Sequence, residues 1–441
     1  MSKTKRKGLI SLILACIMCA SLFVGCGDKY DYDYFNHDYL FGLCDPSGSL
    51  GGGVDKAITN EWLGDVADVL GVKSFRLWVS LDASVGGLLA VDKNNDLSFN
   101  RGYLAKVHDY VDNLKRGGVE NFLFLCTGYL HPYGSPMIGY DVPDVNEDEE
   151  EYLAFLKINA KAYGMIAAEF PEIKNWETGN EPDLGGAGMH KHGFTGGDAT
   201  VDKKFVYTDV EIAEIVCDLS WYVRKELKAV NEENRVALPG LSLYYDVEHT
   251  FFESIYEVIE SKTAPYGEEF SDIDPDNYFD IIDWHPYMNA DKFGTPYYLD
   301  FPEEMWDEWA ERQIEIHDIA AKHGDAEKPA YFSEFGYTDI GESYNGTLQK
   351  NIANNYVIAL DIIKERMPWV ETVFCFRATT LVYQKASNNK TEENYGIFYN
   401  QDDPYNAGKA KPAAKTLAEY FGNSGSTHYN DFTWLENKYS K

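Results

Sequence analysis

Short apolar runs closed by glycine or proline alternate along this chain with longer stretches whose apolar residues recur at helical spacing. The pattern predicts strands over Tyr39 to Cys44, Lys73 to Val79, Val119 to Thr127, Ile173 to Trp176, Arg235 to Leu241, Phe279 to Trp284, Pro329 to Glu334 and Trp369 to Phe376. Between them it predicts helices over Asp55 to Leu70, Gly102 to Arg116, Glu147 to Phe170, Asp209 to Val230 and Thr250 to Ser261. Three more follow, one opening at Trp306 and Trp309, one over Leu348 to Arg366 and one over Ala413 to Phe421. In the fourth helix Ile212, Ile215, Val216, Leu219 and Val223 form a single apolar stripe, the mark of core packing. Regular alternation of strand and helix argues for a parallel sheet with helices outside it.

Two strands close on a glutamate. The run I-K-N-W-E-T-G-N-E-P that begins at Ile173 is stopped by Gly179 and Pro182, which leaves Asn180 and Glu181 at a strand's C-terminal edge. The run P-A-Y-F-S-E-F-G-Y, from Pro329 to Tyr337, leaves Glu334 in the equivalent place. In a barrel of strands and helices that edge is where chemistry is assembled. Either glutamate alone reads as an ordinary loop carboxylate. A pair is what glycoside hydrolysis needs, one to protonate the leaving oxygen and one to attack the anomeric carbon or activate water.

Three motifs in order, W-E-T-G-N-E-P at 176 to 182, W-H-P-Y at 284 to 287 and S-E-F-G-Y at 333 to 337, resemble the superfamily of retaining (β/α)8-barrel glycoside hydrolases. The resemblance runs from about Tyr39 to Tyr420 and leaves cellulase-like and xylosidase-like members both open. It implies an α/β fold, a TIM barrel in one catalytic domain over 39–425 with long βα loops. It also implies that Glu181 is the acid/base and Glu334 the nucleophile, with carboxylates about 5 to 5.5 Å apart. Asn180 would bind the sugar's 2-hydroxyl, His285 would face the sugar, and Tyr287 would hydrogen-bond the nucleophile. Arg76, on the strand face it shares with Trp78, would keep the nucleophile ionised; a structural ion pair elsewhere in the barrel is the alternative. Many relatives end strand eight in a tryptophan, where this chain has Phe374, Phe376 and Arg377. Phe376 and Arg377 are therefore expected at the substrate, with Arg377 meeting either a uronic acid carboxylate or a local acidic residue. Loop aromatics, Tyr129, His131, Tyr133 and Tyr140 after strand three and Phe293, Tyr297, Tyr298 and Phe301 after strand six, suit a sugar platform.

Composition narrows the partners. With 72 acidic and 39 basic residues the formal charge is -33, which repels nucleic acid and anionic membrane surfaces but not neutral sugars. Lys3, Lys5, Arg6 and Lys7 precede an apolar run from Leu9 to Val24, the layout of a secretory signal. The run ends L-F-V-G-C, similar to a bacterial lipobox, so residues 1–25 read as a lipoprotein signal, Cys26 as the lipidated residue and 26–38 as an acidic, tyrosine-rich tether; a plain cleaved signal is the alternative. Residues 426–441 read as a tail without a module. Cys44, Cys126, Cys217 and Cys375 sit in apolar segments without C-x-x-C spacing and are expected as buried free thiols. His190 and His192, in a glycine-rich insertion, lack acidic partners at ligand spacing, and no ligand cluster is expected at the strand ends. The expectation is a cofactor-free, metal-free monomer acting on carbohydrate, held to the membrane only through Cys26. The other class considered is a glycan-binding lipoprotein that keeps the cleft without turnover.

Overall fold

The computed structural model describes residues 40–45, 59–135, 141–144, 148–183, 207–243, 249–261, 265–267, 274–288, 299–339, 344–380, 394–400, 403, 406–422 and 425–439. Residues 1–25, Cys26 and the 26–38 stretch lie outside them, as do Tyr140, His190, His192, Phe293, Tyr297 and Tyr298. Eight strands form one parallel sheet: β1 Phe41–Cys44, β2 Ser74–Ser80, β5 Asn121–Thr127, β6 Asn175–Glu177, β7 Arg235–Ala237, β8 Ile282–Trp284, β9 Ala330–Phe335 and β10 Val370–Phe376. Their order is β7-β6-β5-β2-β1-β10-β9-β8. Parallel bridges Ala237↔Ile281 and Leu241↔Trp284 join β7 to β8 and close the circle, so the fold is a (β/α)8 TIM barrel.

The helices are α1 Asn60–Leu70, α2 Arg101–Arg116, α3 Glu149–Glu169, α4 Asp209–Val230, α5 Thr250–Glu260, α6 Glu303–Lys322, α7 Gly346–Arg366, α8 Pro412–Phe421 and α9 Phe432–Tyr439. Their ends follow local chemistry. Thr208 caps α4 through a reciprocal pair with Glu211, and Gly71 closes α1 in the left-handed conformation. The α1–α2 contact is close because neither glycine there carries a Cβ: one built at Gly117 would sit 2.0 Å from Gly64 O.

Alternation along the strands fills the barrel in layers. At the bottom, Asn121 donates to Ser74 Oγ at 3.1 Å, Asn175 to Asn121 at 2.8 Å and Arg235 to Asn175 at 2.8 Å, with Arg235 paired to Glu371. Leu123, Ala237, Ile281, Tyr331 and Phe374 form the apolar middle. Above it the inward positions turn polar again, and this upper layer holds the site. No helix among the described residues is long and apolar enough to cross a membrane.

Two features were not read from the sequence. A short hairpin, β3 Leu89–Val91 with β4 Leu97–Phe99, stands in the loop after β2. The stretch read as a tail without a module contains α9, which packs on α1: Lys438 and Tyr439 reach Asp65 Oδ2, each at 2.6 Å, and Asp68 accepts from the backbone of Thr427 and His428. Cys44, Cys126, Cys217 and Cys375 are buried and free, and burial pushes the Cys126 and Cys375 thiols up to about 12.

Candidate active site

Arg76 projects inward from β2 and is fully buried. Its Nε and Nη2 donate to the two oxygens of Glu177 on β6 at 2.7 and 2.6 Å, its Nη1 donates to Glu334 Oε1 at 2.6 Å, and its Nη2 also reaches Asn180 Oδ1 at 2.7 Å. One guanidinium thus ties together three strand ends. The buried charge is compensated through the bidentate geometry available to Arg.

Glu334, at 5% exposure, ends β9. Burial alone would raise its pKa, but the charges of His285 and Arg76, with hydrogen bonds from Arg76 and Tyr287, lower it. Tyr287 donates its hydroxyl to Glu334 Oε2 at 3.0 Å; burial and the charge of Glu334 hold that phenol well above its ordinary value.

Glu181 is half-buried and sits in the loop after β6 with φ +47, a left-handed conformation that costs a non-glycine residue about 1–2 kcal/mol. The loop is fastened on both sides of the strain. Glu181 N–H donates to Gly240 O at 2.8 Å, and Asp183 accepts from Ser242 N–H at 2.9 Å and Leu243 N–H at 2.6 Å. Burial, outweighing those two bonds, pushes the Asp183 carboxyl up to about 6.

His285 joins the two glutamates. Its Nδ1 is 2.8 Å from Glu181 Oε1 and 3.8 Å from Glu334 Oε2. Burial works against the imidazolium, yet the charge of Glu334 and the hydrogen bond and charge of Glu181 push its pKa up to about 9. One atom each from Glu181, His285 and Glu334 lie within 4.8 Å of one another. This corrects the expectation that no such cluster forms at the strand ends. Its donors are nevertheless committed: Nδ1 lies on Glu181, and Glu334 already holds Arg76 and Tyr287.

The structure brings Glu181, Glu334, Arg76, Asn180, His285 and Tyr287 together. Phe376 packs edge-on to Tyr287 and Tyr395, with ring centroids at 6.4 and 5.7 Å, and belongs largely to the barrel core. Arg377 is buried beside Asp45 Oδ1 at 3.4 Å, the local acidic partner held as its alternative role. The described contact of His131 is a stack on Phe155 of α3, 5.8 Å between centroids, outside the glutamate network. Tyr129 is buried, Tyr133 is 65% exposed, and Trp306 and Trp309 are packed inside α6, so the last two are not cleft walls.

Four groups were missed. Glu177 lies inside a quoted motif but was not singled out, although a buried arginine in a strand demands an inward acid and the alternation from Asn175 supplies it at 177. Asp283 follows in the same way from His285. Ser333 follows from the register that places Trp284 beside Phe332, and hence 285 beside 333. Tyr395 comes from the loop after β10, where nothing periodic marks it.

No family model matches the chain, and no curated protein matches it. Solved structures do. A family 39 glycoside hydrolase from the gut symbiont Bacteroides cellulosilyticus WH2 superposes with TM-score 0.53 at 14% identity, covering 89% of this chain and 65% of that one. A monomeric beta-xylosidase from Caulobacter crescentus CB15 gives 0.51 at 13%, covering 87% and 67%. A family 5 xyloglucanase from Paenibacillus pabuli gives 0.52 at 13%, covering 88% and 99%. The chain spans just under two thirds of the first of these. At such identities the likeness establishes the barrel fold.

His285 makes stability depend on pH in a defined direction. Its folded pKa, about 9, exceeds the ordinary 6.5, so its contribution is complete below pH 6.5 and is lost as pH rises through 9. Urea denaturation at pH 6.5 and 9.5 should show wild type losing roughly 2–3 kcal/mol more than His285→Gln over that interval. Equal losses in the two proteins would show that folding does not raise the pKa of His285.

Proposed function

We propose that this chain is a retaining glycoside hydrolase acting on a neutral poly- or oligosaccharide. The observation that carries the reading is the unlike pairing of two close carboxylates: Glu334 caged by Arg76 and Tyr287, and Glu181 on the imidazole of His285, with oxygens within 4.8 Å. Inverting enzymes keep their carboxyl groups about 6.5–9.5 Å apart to admit a water, and the gap here suits direct attack. The fold is shared with a glycoside hydrolase, a beta-xylosidase and a xyloglucanase.

In the first step Glu334 attacks the anomeric carbon as the glycosidic C–O bond breaks, and Glu181 gives its proton to the departing oxygen. Arg76 holds Oε1 with a full charge while Oε2 accepts only the neutral Tyr287 hydroxyl, so Oε2 is the freer oxygen for attack. Esterification removes the Glu334 charge, the largest influence raising the pKa of His285, so the imidazolium is held less strongly in the intermediate. In the second step Glu181 takes a proton from water, whose oxygen displaces Glu334 and restores both carboxyl groups. Asn180, bound to Arg76 through Oδ1, has its amide N–H to offer a sugar hydroxyl, with no other partner among the described residues. A neutral sugar fits better than a uronate, because Arg377 is buried beside Asp45 and the site holds more acids than bases.

The two glutamates should separate by leaving group. Glu334→Ala should be inactive on every glycoside unless azide fills the gap. Glu181→Ala should keep much of its first-step rate on a dinitrophenyl glycoside while losing on the order of 10² to 10⁴ fold on the natural substrate. Turnover by Glu334→Ala without azide would remove it as nucleophile.

Arg76, Tyr287 and a protonated His285 already occupy the acids, so hydrolysis should be indifferent to EDTA. Activity lost to the chelator and restored by a divalent cation would assign the 181–285–334 cluster to a metal instead. The N-terminal layout supports export and anchoring on the extracellular face of the membrane through Cys26. Labelled palmitate should enter the wild-type protein and not Cys26→Ala; no label in either would leave only a cleaved signal, and equal labelling would move the lipid to another residue.

A further inference from the structure

Beneath the two glutamates lies a set of polar groups for which the reaction above has no use. Asp283, on β8 two residues before His285, is fully buried, and among the described residues it has no ion-pair partner; neither carboxyl oxygen has a hydrogen-bond partner. Ser333 Oγ, on the neighbouring strand β9, and His285 Nε2 are buried in the same condition. The last two converge. The point that a Cβ on Gly240 would occupy is 2.5 Å from His285 Nε2, 2.7 Å from Ser333 Oγ and 2.8 Å from Glu177 Oε1. Only a residue without a side chain permits that approach, and the register sets 285 beside 333.

Buried polar groups are almost always satisfied, so the orphans His285 Nε2 and Ser333 Oγ point to one another, and Asp283 is near enough to Ser333 for the serine hydroxyl to lower its pKa. Glu177 is taken, its oxygens held by Arg76 and by Gly240 N–H at 2.9 Å. The groups facing the imidazole are then Glu181 in the loop after β6, Glu334 and Ser333 on β9, Arg76 on β2, Tyr287 beyond β8, and Asp283 and Glu177 below. Only Ser333 and Asp283 are uncommitted.

We infer that Ser333 and Asp283 are positioning residues for the acid/base: His285 Nε2–H donates to Ser333 Oγ, the Ser333 hydroxyl donates to Asp283, and this line holds the ring with Nδ1–H on Glu181. Asp283 serves as a neutral acid accepting through its carbonyl oxygen. An unpaired carboxylate at zero exposure is costly, and burial with the Glu177 charge raises its pKa, although Arg76, Ser333 and His285 lower it. The line acts when Glu181 loses its proton, because a fixed imidazolium N–H stabilises the carboxylate that forms. It rests on the hydrolase reading for its kinetic consequence, but not for its structure.

The experiment compares Asp283→Ala, Ser333→Ala and Asp283→Asn with wild type on a dinitrophenyl glycoside and on a glycoside with a sugar leaving group. It also follows the ¹⁵N-imidazole titration of His285 in each protein. The two alanine variants should lose roughly 10–100-fold in kcat on the poor leaving group and far less on the activated one. Their His285 titration should move below that of wild type by a unit or more. Asp283→Asn, which keeps a carbonyl acceptor, should retain most of both the rate and the titration. An Asn variant as damaged as the alanine would show that Asp283 acts as an anion. Equal losses on both substrates, or an unmoved His285 titration, would overturn the line altogether. A wild type that hydrolyses no glycoside would defeat the hydrolase reading, while the titration would still decide whether Ser333 and Asp283 hold His285.

Discussion

One buried guanidinium faces two buried carboxylates, and the imbalance sets the protonation of everything around it. Arg76 neutralises one unit of the charge on Glu177 and Glu334, and the excess negative charge remains in a desolvated layer. The neighbours respond as that field requires: His285 is drawn toward imidazolium, while Tyr287 and Asp283 are driven toward their neutral forms. An isolated buried ion pair is weak support for stability, since desolvation offsets most of the attraction. Its value here is geometric. Five N–H donors in a rigid fork fix the relative positions of β2, β6 and β9, and so fix where the two glutamates stand.

The layering of the barrel explains why this can happen at one end only. Small and polar residues close the bottom through a ring from Ser74 to Glu371, and branched and aromatic side chains seal the middle. That seal keeps water from reaching the upper charges from below. Strain is placed in the same layer. Glu181 holds a left-handed backbone where its loop is bound on either side to the segment that follows β7, by Gly240 and by Asp183 on Ser242 and Leu243. The residue that accepts from Glu181 N–H must also be a glycine for a different reason, since a Cβ at 240 would collide with His285 Nε2 and Ser333 Oγ.

Much of this was legible in the sequence. All eight strands and eight helices were read, with α4 matching at both ends, because long periodic runs and caps such as Thr208 are local signals. The shortest strands were overextended: β7 was read to Leu241 but pairs continuously only to Ala237, since the following residues join β8 by single bridges. Glu181, Glu334, Arg76, His285 and Tyr287 were legible because strand-ending motifs carried them. Glu177, Asp283 and Ser333 were not, since an acid or serine inside a strand becomes meaningful only once the register shows which partner it faces. The hairpin β3–β4 and the helix α9 were missed for another reason. Each is too short to show a period, and α9 is held through Lys438 and Tyr439 by Asp65, 373 and 374 positions away.

The last barrel strand, β10, shows where reading by motif stops and packing takes over. Many relatives end it in a tryptophan where this chain has a phenylalanine, and that phenylalanine was expected at the substrate; yet Phe376, at 9% exposure, is a member of the barrel core. The aromatic surfaces left partly open over that core are Trp78, Tyr287 and Tyr395. Tyr395 is brought in by a segment that crosses back over β10 through the bridge Thr379↔Phe398. Gly396 allows the crossing, for a Cβ there would lie 1.8 Å from Thr380 N. The ring then rests on Gly336, immediately beyond the strand that carries Glu334, and edge-on to Tyr287 at 5.5 Å. A smaller residue in the strand and a tyrosine from the loop together cover the ground beside the buried glutamate, and only two glycines distant in sequence make that exchange sterically possible.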